Sequence, residues 1–406
     1  MRFPSARITT LLCALAVLSA CTERSPGPTG IGLSASRSGL PFAEGLASPT
    51  WQARSATLVA GASFSPLAAA HAYGLLGVAQ YLAVQRADAA ADNIGRSRLD
   101  AERGAVAGAS AAVLTYLFPA AAQTLEDLVA LQSNAGPGKP QPWFARGTEI
   151  GRAVGADIVV RARADGFSTP FTGTIPTGPG LWISNTTPAT IAGGSLPTST
   201  PWFLTSQSQF RSEAPPAFES TAFAEALAEI RRISDTRTTE QTRIAGFWAL
   251  NAGTPTAAGY WLQLATDGIN QHGLSEREAT HLYALASATM YDAAIGCWDA
   301  KQTYWVIRPW QADAGIVVLT SVGKPNHPSY PSGHSCVSAS GAEVLSTFFP
   351  EQRAQLEAMV DEAGLSRMYG GIHYRFDIDA GHVLGHDVAR WAIAADASGN
   401  SVLTPR

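Results

Sequence analysis

Charge is scarce in this chain: Asp, Glu, Lys and Arg make up 15% of its 406 residues, and 28 basic against 32 acidic side chains leave a net charge of −4. No basic field draws in a phosphate polymer, so no nucleic-acid partner is expected. Only four cysteines are present, too few and too scattered to write a zinc pattern. Strand-like alternation of useful length and repeats at a fixed period are missing as well, which excludes a sheet protein or a solenoid. After the N-terminal segment, no run of the ~20 apolar residues that a membrane span requires is expected. What is abundant is apolar: 46% of the residues are hydrophobic, enough for a well-buried globular body.

The first residues place Arg2 and Arg7 ahead of an apolar run from Leu11 to Leu18, followed by small residues ending at Cys21. This pattern is a secretory signal, too short to span a bilayer. "LSAC" also resembles the lipobox of bacterial lipoproteins, which implies cleavage before Cys21 and a lipid on its thiol. The expectation is a signal peptide over 1–20 and an exported lipoprotein facing periplasm or cell exterior, touching a membrane only through that lipid. Cys13 leaves with the signal. Cys297 and Cys336 then form either a disulfide or two free buried thiols, and their spacing leaves both open.

Residues 21–58 are rich in Ser, Gly and Pro and read as a flexible tether. Helical patterns follow over 64–83, over 98–132 with a break at Pro119, over 147–166, and from Thr221 to Lys301. Between them, 167–218 is dense in Pro, Gly, Ser and Thr yet carries Trp182 and Trp202, so it is expected to cross between bundles or wall a pocket. The expected fold is all-α: a single helical domain over 59–398, with the site within 301–377.

Three stretches hold the candidate chemistry. In "KQTYWVIRP", Lys301 and Arg308 are seven apart, close to two helical turns, which puts both cations on one helix face before Pro309 turns the chain out. "HPSYPSGHSCVSASG" begins at His327 and reads as a loop feeding a helix. Ser332 caps it, Gly333 permits close backbone approach, and His334 sits in a first turn whose free N–H groups suit an anion. "SRMYGGIHYRFDID" supplies Arg367, His373 and Asp377. The i, i+4 spacing lets the carboxylate fix one imidazole nitrogen and leave the other basic. Each stretch alone suits an ordinary surface or cap. Together they gather three permanent cations, a backbone anion nest and two histidines, which is what a tetrahedral oxyanion needs. His382 and His386 are also i, i+4, a spacing zinc sites use, but with no third ligand evident they read as packing or surface histidines.

Lys301 to Pro309 fits K-x6-R-P, Pro331 to His334 fits P-S-G-H, and Ser366 to Asp377 fits S-R-x5-H-x3-D. In this order they resemble the signature of the type 2 phosphatidic acid phosphatase and vanadium-dependent haloperoxidase superfamily. That resemblance implies two packed four-helix-type bundles. It implies that Lys301, Arg308 and Arg367 hold the oxyanion while Ser332 and Gly333 donate to it. His373 is then the vanadium ligand of a haloperoxidase or the nucleophile of a phosphatase, His334 the acid-base group of either, and Asp377 the orienting carboxylate. His327 falls where haloperoxidases of this kind place a halide-neighbouring residue, and a histidine there resembles the bromoperoxidases. "HYRFD" and the body from about 60 to 395 also resemble bacterial vanadium-haloperoxidase-like proteins, whereas the short gaps between motifs suit acid phosphatases. The resemblance implies vanadate as cofactor and hydrogen peroxide, halide (bromide in preference to chloride) and an organic acceptor as partners. The alternative is a phosphate ester cleaved through a phosphohistidine. The oligomeric state is open, a homodimer included.

Overall fold

The computed structural model describes residues 45–90, 96–133 and 142–404. The signal peptide, Cys13, the lipid expected on Cys21 and the start of the tether lie outside them. The described residues contain thirteen α-helices and no strand, with a β-bridge between Leu181 and Val306. The front helices are α1 (Ser48–Gly61), α2 (Pro66–Ala90), α3 (Arg96–Leu117), α4 (Ala122–Ser133) and α5 (Pro142–Ala164). After the irregular 167–218 stretch come α6 (Thr221–Thr236), α7 (Thr239–Phe247), α8 (Thr256–His272), α9 (Glu276–Tyr304) and the short α10 (Pro309–Ala312). The chain ends with α11 (Gly333–Phe348), α12 (Arg353–Tyr369) and α13 (Arg375–Ala397).

Two expectations need correction. The tether stops well short of residue 58: 48–58 lie in α1, where Trp51 is fully buried and the amides of Ala47 and Ser48 donate to the buried Glu276 carboxylate. Ser- and Gly-rich composition hid a helix held by one distant acid. The absence of a span-length apolar run also fails, because α2 is long and apolar enough to cross a membrane. Tyr, Gln and His interrupt its run without making it polar. Most of it is buried against α3, α5 and α9, as a core helix is.

Packing divides the helices into a front group around α2, α3 and α5 and a rear group around α9, α11 and α13, joined where α2 lies along α9. One hydrophobic core runs through both, from Leu76 and Val106 to Leu285, Leu345 and Val388. A second, smaller cluster, including Ile307, Tyr330, Ile372 and Tyr374, packs behind the segments that carry Arg308 and His373.

The 167–218 stretch is bound to this frame by backbone rather than by periodicity. Asp292, fully buried on α9, accepts the amides of Trp202, Phe203 and Leu204 at 2.8, 2.7 and 3.1 Å. Burial raises its carboxyl to about 6. Asp292→Ala leaves three buried N–H groups without an acceptor, and we expect roughly 3 kcal/mol of lost stability. Chemical denaturation checks this, and a loss within the ordinary surface range of about 0.5 kcal/mol would remove Asp292 from this role.

Candidate active site

The helix start at Ser275 is a capping box with Glu278, which launches α9. Its other end delivers Lys301. Trp305 then adopts a left-handed conformation (φ 51°) and stops the helix, and Arg308 becomes the N-cap of α10. Lys301 and Arg308 therefore do not share a helix face as their spacing suggested, since the helix stop lies between them. Both are fully buried. The Lys301 ammonium donates to the carbonyls of Pro328 (2.9 Å), Ser329 (2.8 Å) and Pro331, so its first task is to peg the 328–331 turn. Burial lowers its pKa to about 8.

That turn leads into α11. The Ser332 hydroxyl accepts from the Ser335 amide, while the Ser332 amide donates to the Asp377 carbonyl at 2.8 Å. Any donation from Ser332 to an anion therefore comes from its hydroxyl, leaving the amides of Gly333 and His334 as the free end of the helix. α13 presses on this first turn through Gly381 and Gly385. A Cβ at those positions would lie 2.8 Å from the Ser332 carbonyl and 2.4 Å from that of Cys336. In "AGHVLGHDVAR" the glycines, not the histidines, thus serve the site.

His373 joins the two halves of the site. Its Nδ1 is 2.7 Å from Asp377 Oδ2 and its Nε2 3.0 Å from Arg308 Nη1. A carboxylate can only accept, so Nδ1 carries the proton and the Nε2 lone pair faces the guanidinium. The same Asp377 oxygen accepts from Ser329 Oγ at 2.5 Å and from the Tyr374 amide at 3.1 Å. Burial holds this carboxyl up at about 6. Arg308 also donates to the Ile372 carbonyl (2.7 Å) and, through Nε and Nη2, to the carbonyl and Nδ1 of His327 (2.9 and 3.0 Å). The His327 ring packs against Trp298.

The His334 ring lies near the main chain at Trp248 and Ala249, which favours its charged form slightly, and its Nε2 has no hydrogen-bond partner. Burial, then Arg367, pushes its pKa down to about 3. Burial and the Arg308 and Lys301 charges take His327 and His373 well below the usual histidine value. All three imidazoles are therefore neutral at pH 7. Arg367, almost fully buried, donates to Ser366 Oγ (2.9 Å) and the Ala245 carbonyl (3.1 Å).

None of Lys301, Arg308 and Arg367 lies within ion-pair distance of a carboxylate among the described residues, and Asp377 is the acid whose charge is felt by Lys301 and Arg308. Guanidinium groups keep their protons even when buried. The site carries more buried positive than negative charge, a condition that an oxyanion relieves. A cavity of about 340 Å³ opens over it, lined by His327, Gly333, His334, Arg367 and His373. Ala192 and Gly193 of the irregular stretch line it too.

Every candidate residue from the sequence lies in this neighbourhood except His382 and His386. His386 bridges Glu343 (2.8 Å) and Glu357 (3.5 Å), and His382 is 4.0 Å from Asp361. Arg353 and Arg390 already approach Glu343, at 3.5 and 3.8 Å, so packing accounts for this group. Cys297 and Cys336 are free thiols, both buried under the 328–331 turn, with Cys297 Sγ 3.7 Å from the Pro331 carbonyl. Sequence reasoning missed Ser329, which shares the Asp377 oxygen, and the main chain at Trp248 and Ala249 beside His334. Ser329 stood inside a quoted motif, but main-chain groups leave no trace in side-chain identity.

Comparison with known proteins fits this geometry. The family model of the PAP2 superfamily matches residues 279–397. A non-specific acid phosphatase of Providencia stuartii is 30% identical over 115 residues, 27% of this chain and 46% of that protein. One of Salmonella typhi is 44% identical over 57 residues, 14% of this chain and 23% of that protein. The chain thus spans less than half the length of the curated relatives it matches. Among solved structures, a bacterial vanadium-dependent iodoperoxidase superposes with a TM-score of 0.71 at 23% identity, over 85% of this chain and 95% of its own. A holo-type bacterial vanadium-dependent chloroperoxidase gives 0.65 at 13% identity, over 84% and 94%. At these identities the likeness is one of fold. Residues 279–397, with the three motifs inside them, match the PAP2 superfamily, and the acid phosphatases are similar to this chain over a part of their length.

Proposed function

We propose that the protein is a vanadium-dependent haloperoxidase that oxidises halide with hydrogen peroxide. The observation that carries oxyanion chemistry is the set of three buried cations without carboxylate partners among the described residues, of which Arg367 lines one cavity with the neutral His334 and His373, while Arg308 touches His373 from behind. The residues fit vanadate: His334 presents an orphaned buried Nε2, the end of α11 presents free amides, and His373 presents an Nε2 lone pair. Held there, vanadate supplies a Lewis-acidic centre that activates peroxide toward halide.

The chain's own residues do the rest. His373 Nε2 is the ligand atom, released from Arg308 and kept basic by the proton fixed on Nδ1 toward Asp377. Arg308, Arg367 and Lys301 neutralise the oxyanion, joined by the Ser332 hydroxyl and the Gly333 amide; losing one such donor typically costs about 3 to 4 kcal/mol of transition-state stabilisation. His334 Nε2 takes and returns the proton of the entering peroxide. His327, between Arg308 and Trp298 on the cavity wall, neighbours the halide. Bromide is the halide to test first, with iodide beside it. The fold match along most of the chain supports this reading over the phosphatase one. Export as a lipoprotein remains part of the same proposal.

The acid phosphatase relatives and the short gaps between motifs support a second reading on the same residues. There His373 Nε2 attacks phosphorus, His334 gives its proton to the leaving alkoxide, and water then releases phosphate from the histidine. A paired assay separates the two: bromide-dependent peroxidation with orthovanadate and hydrogen peroxide, beside p-nitrophenyl phosphate hydrolysis without vanadate. Peroxidation that needs vanadate and halide and exceeds free vanadate supports the first reading. Ester hydrolysis that vanadate inhibits, without peroxidation, overturns it in favour of the second.

Oxyanion affinity should also depend on pH through Lys301. Burial lowers its pKa to about 8, so the charged form is complete below that value and is lost as pH rises through it. A bound anion stabilises the ammonium and moves the loss upward. Calorimetric titration of phosphate on either side of pH 8 should show weaker binding on the alkaline side, and an affinity that rises with pH would contradict it.

A further inference from the structure

The cavity has two chemically different sides. Its floor is the oxyanion site. Beside it the lining includes Leu67 and Ala70 of α2, Ala257 and Ala258 of α8, Ala294 of α9 and Val337 of α11. None of these six side chains carries charge or a hydrogen-bonding group. The alanines are buried at the helix junction: Ala70, Ala257, Ala258 and Ala294 are 2%, 5%, 2% and 1% exposed. Longer side chains at these positions would fill the space, so the room exists because the residues are small. At the mouth stand the exposed Asn251 and Lys324, a polar rim around an apolar interior.

Holding an oxyanion requires only the floor. A cavity of about 340 Å³ is larger than that task needs and falls at the lower end of the range for organic-ligand pockets. We infer that the alanine-lined wall is a binding subsite for an apolar, ring-sized group of the organic substrate, seated beside the oxyanion floor. This rests on the oxyanion reading above but not on the choice between its two chemistries. The group belongs to the organic acceptor in one and to the ester's leaving alcohol in the other. Apolar contact supplies the affinity, and the floor holds the charge.

The experiment is calorimetric titration of the protein with phosphate, methylphosphonate and phenylphosphonate. Phenylphosphonate is expected to bind at least tenfold more tightly than methylphosphonate, about 1.4 kcal/mol. Ala258→Phe, which fills the wall, and Leu67→Ser, which makes it polar at a half-buried position in the first turn of α2, should each erase most of that preference. Methylphosphonate affinity should stay unchanged in both. If Ala258→Phe does not fold, Leu67→Ser carries the comparison. Equal affinities for the two phosphonates, or a preference that survives Leu67→Ser, overturn the subsite while leaving the oxyanion floor standing. If neither phosphate nor methylphosphonate binds, the oxyanion reading falls and the subsite with it.

Discussion

His373→Ala removes turnover in whichever of the two assays the protein supports, by about three orders of magnitude or more. His373 is the site's one imidazole with both nitrogens committed, Nδ1 to Asp377 and Nε2 to Arg308. No other neutral nucleophile lies between the guanidinium and an orienting carboxylate, so nothing replaces it. The fold should survive the change. Asp377 keeps the Ser329 hydroxyl and the Tyr374 amide, and Arg308 keeps the Ile372 carbonyl. A stability loss of about 1 to 3 kcal/mol is expected from the cavity left behind. Turnover, near-ultraviolet circular dichroism and thermal melting on the same preparation form the check. Normal turnover in a folded His373→Ala protein would sink the shared-site assignment for phosphatase and haloperoxidase alike.

Asp377→Asn should be nearly as damaging although it changes almost no volume. The carboxylate can only accept, which forces the His373 proton onto Nδ1. An amide at position 377 can donate to Nδ1 and move the proton to Nε2, where it meets Arg308 instead of a ligand or electrophile. In the comparable arrangement of a serine-protease triad, the same exchange costs about 10⁴ in kcat with geometry intact, and we expect a loss of about 10³ to 10⁴ here. The expected split is a fall in kcat with substrate affinity little changed, because the three cations are untouched. Nitrogen NMR of His373 should show the proton on Nε2 in the variant. A kcat within tenfold of the parent protein, or an unchanged tautomer, would reduce Asp377 to a helix-capping acid that holds the Tyr374 amide.

These two residues show why the site was legible. Each motif position has a chemistry that few side chains can supply: permanent cations for an oxyanion, a small residue at the helix start, an imidazole with an acid four residues on. Such requirements survive in identity and local spacing, so Arg308, Arg367, His334, His373 and Asp377 could be named before their positions were known. The all-α class was legible for a similar reason, since apolar residues recurring at helical period follow from local backbone geometry. The break at Pro119 came out as expected because proline acts through its own ring.

What failed was mostly what depends on a partner far along the chain, together with one local helix stop. Trp51 looked like part of a tether because the acid that holds α1 in place, Glu276, lies more than two hundred residues away. The 167–218 stretch gave no period to read, because backbone amides bound to Asp292 order it. Lys301 and Arg308 seemed to share a helix face, and Trp305 in a left-handed turn between them showed otherwise. By itself the sequence determined the helical class and named the cations, the histidines and the acid that form the candidate site, since these rest on local geometry and on side-chain chemistry. Only the tertiary structure decided that the three cations are buried, that Lys301 pegs a turn, that His334 Nε2 is left without a partner, and that alanines from three helices line the cavity beside Arg367 and the histidines. Those depend on which surfaces pack together, and packing is a property of the whole chain that no local window contains.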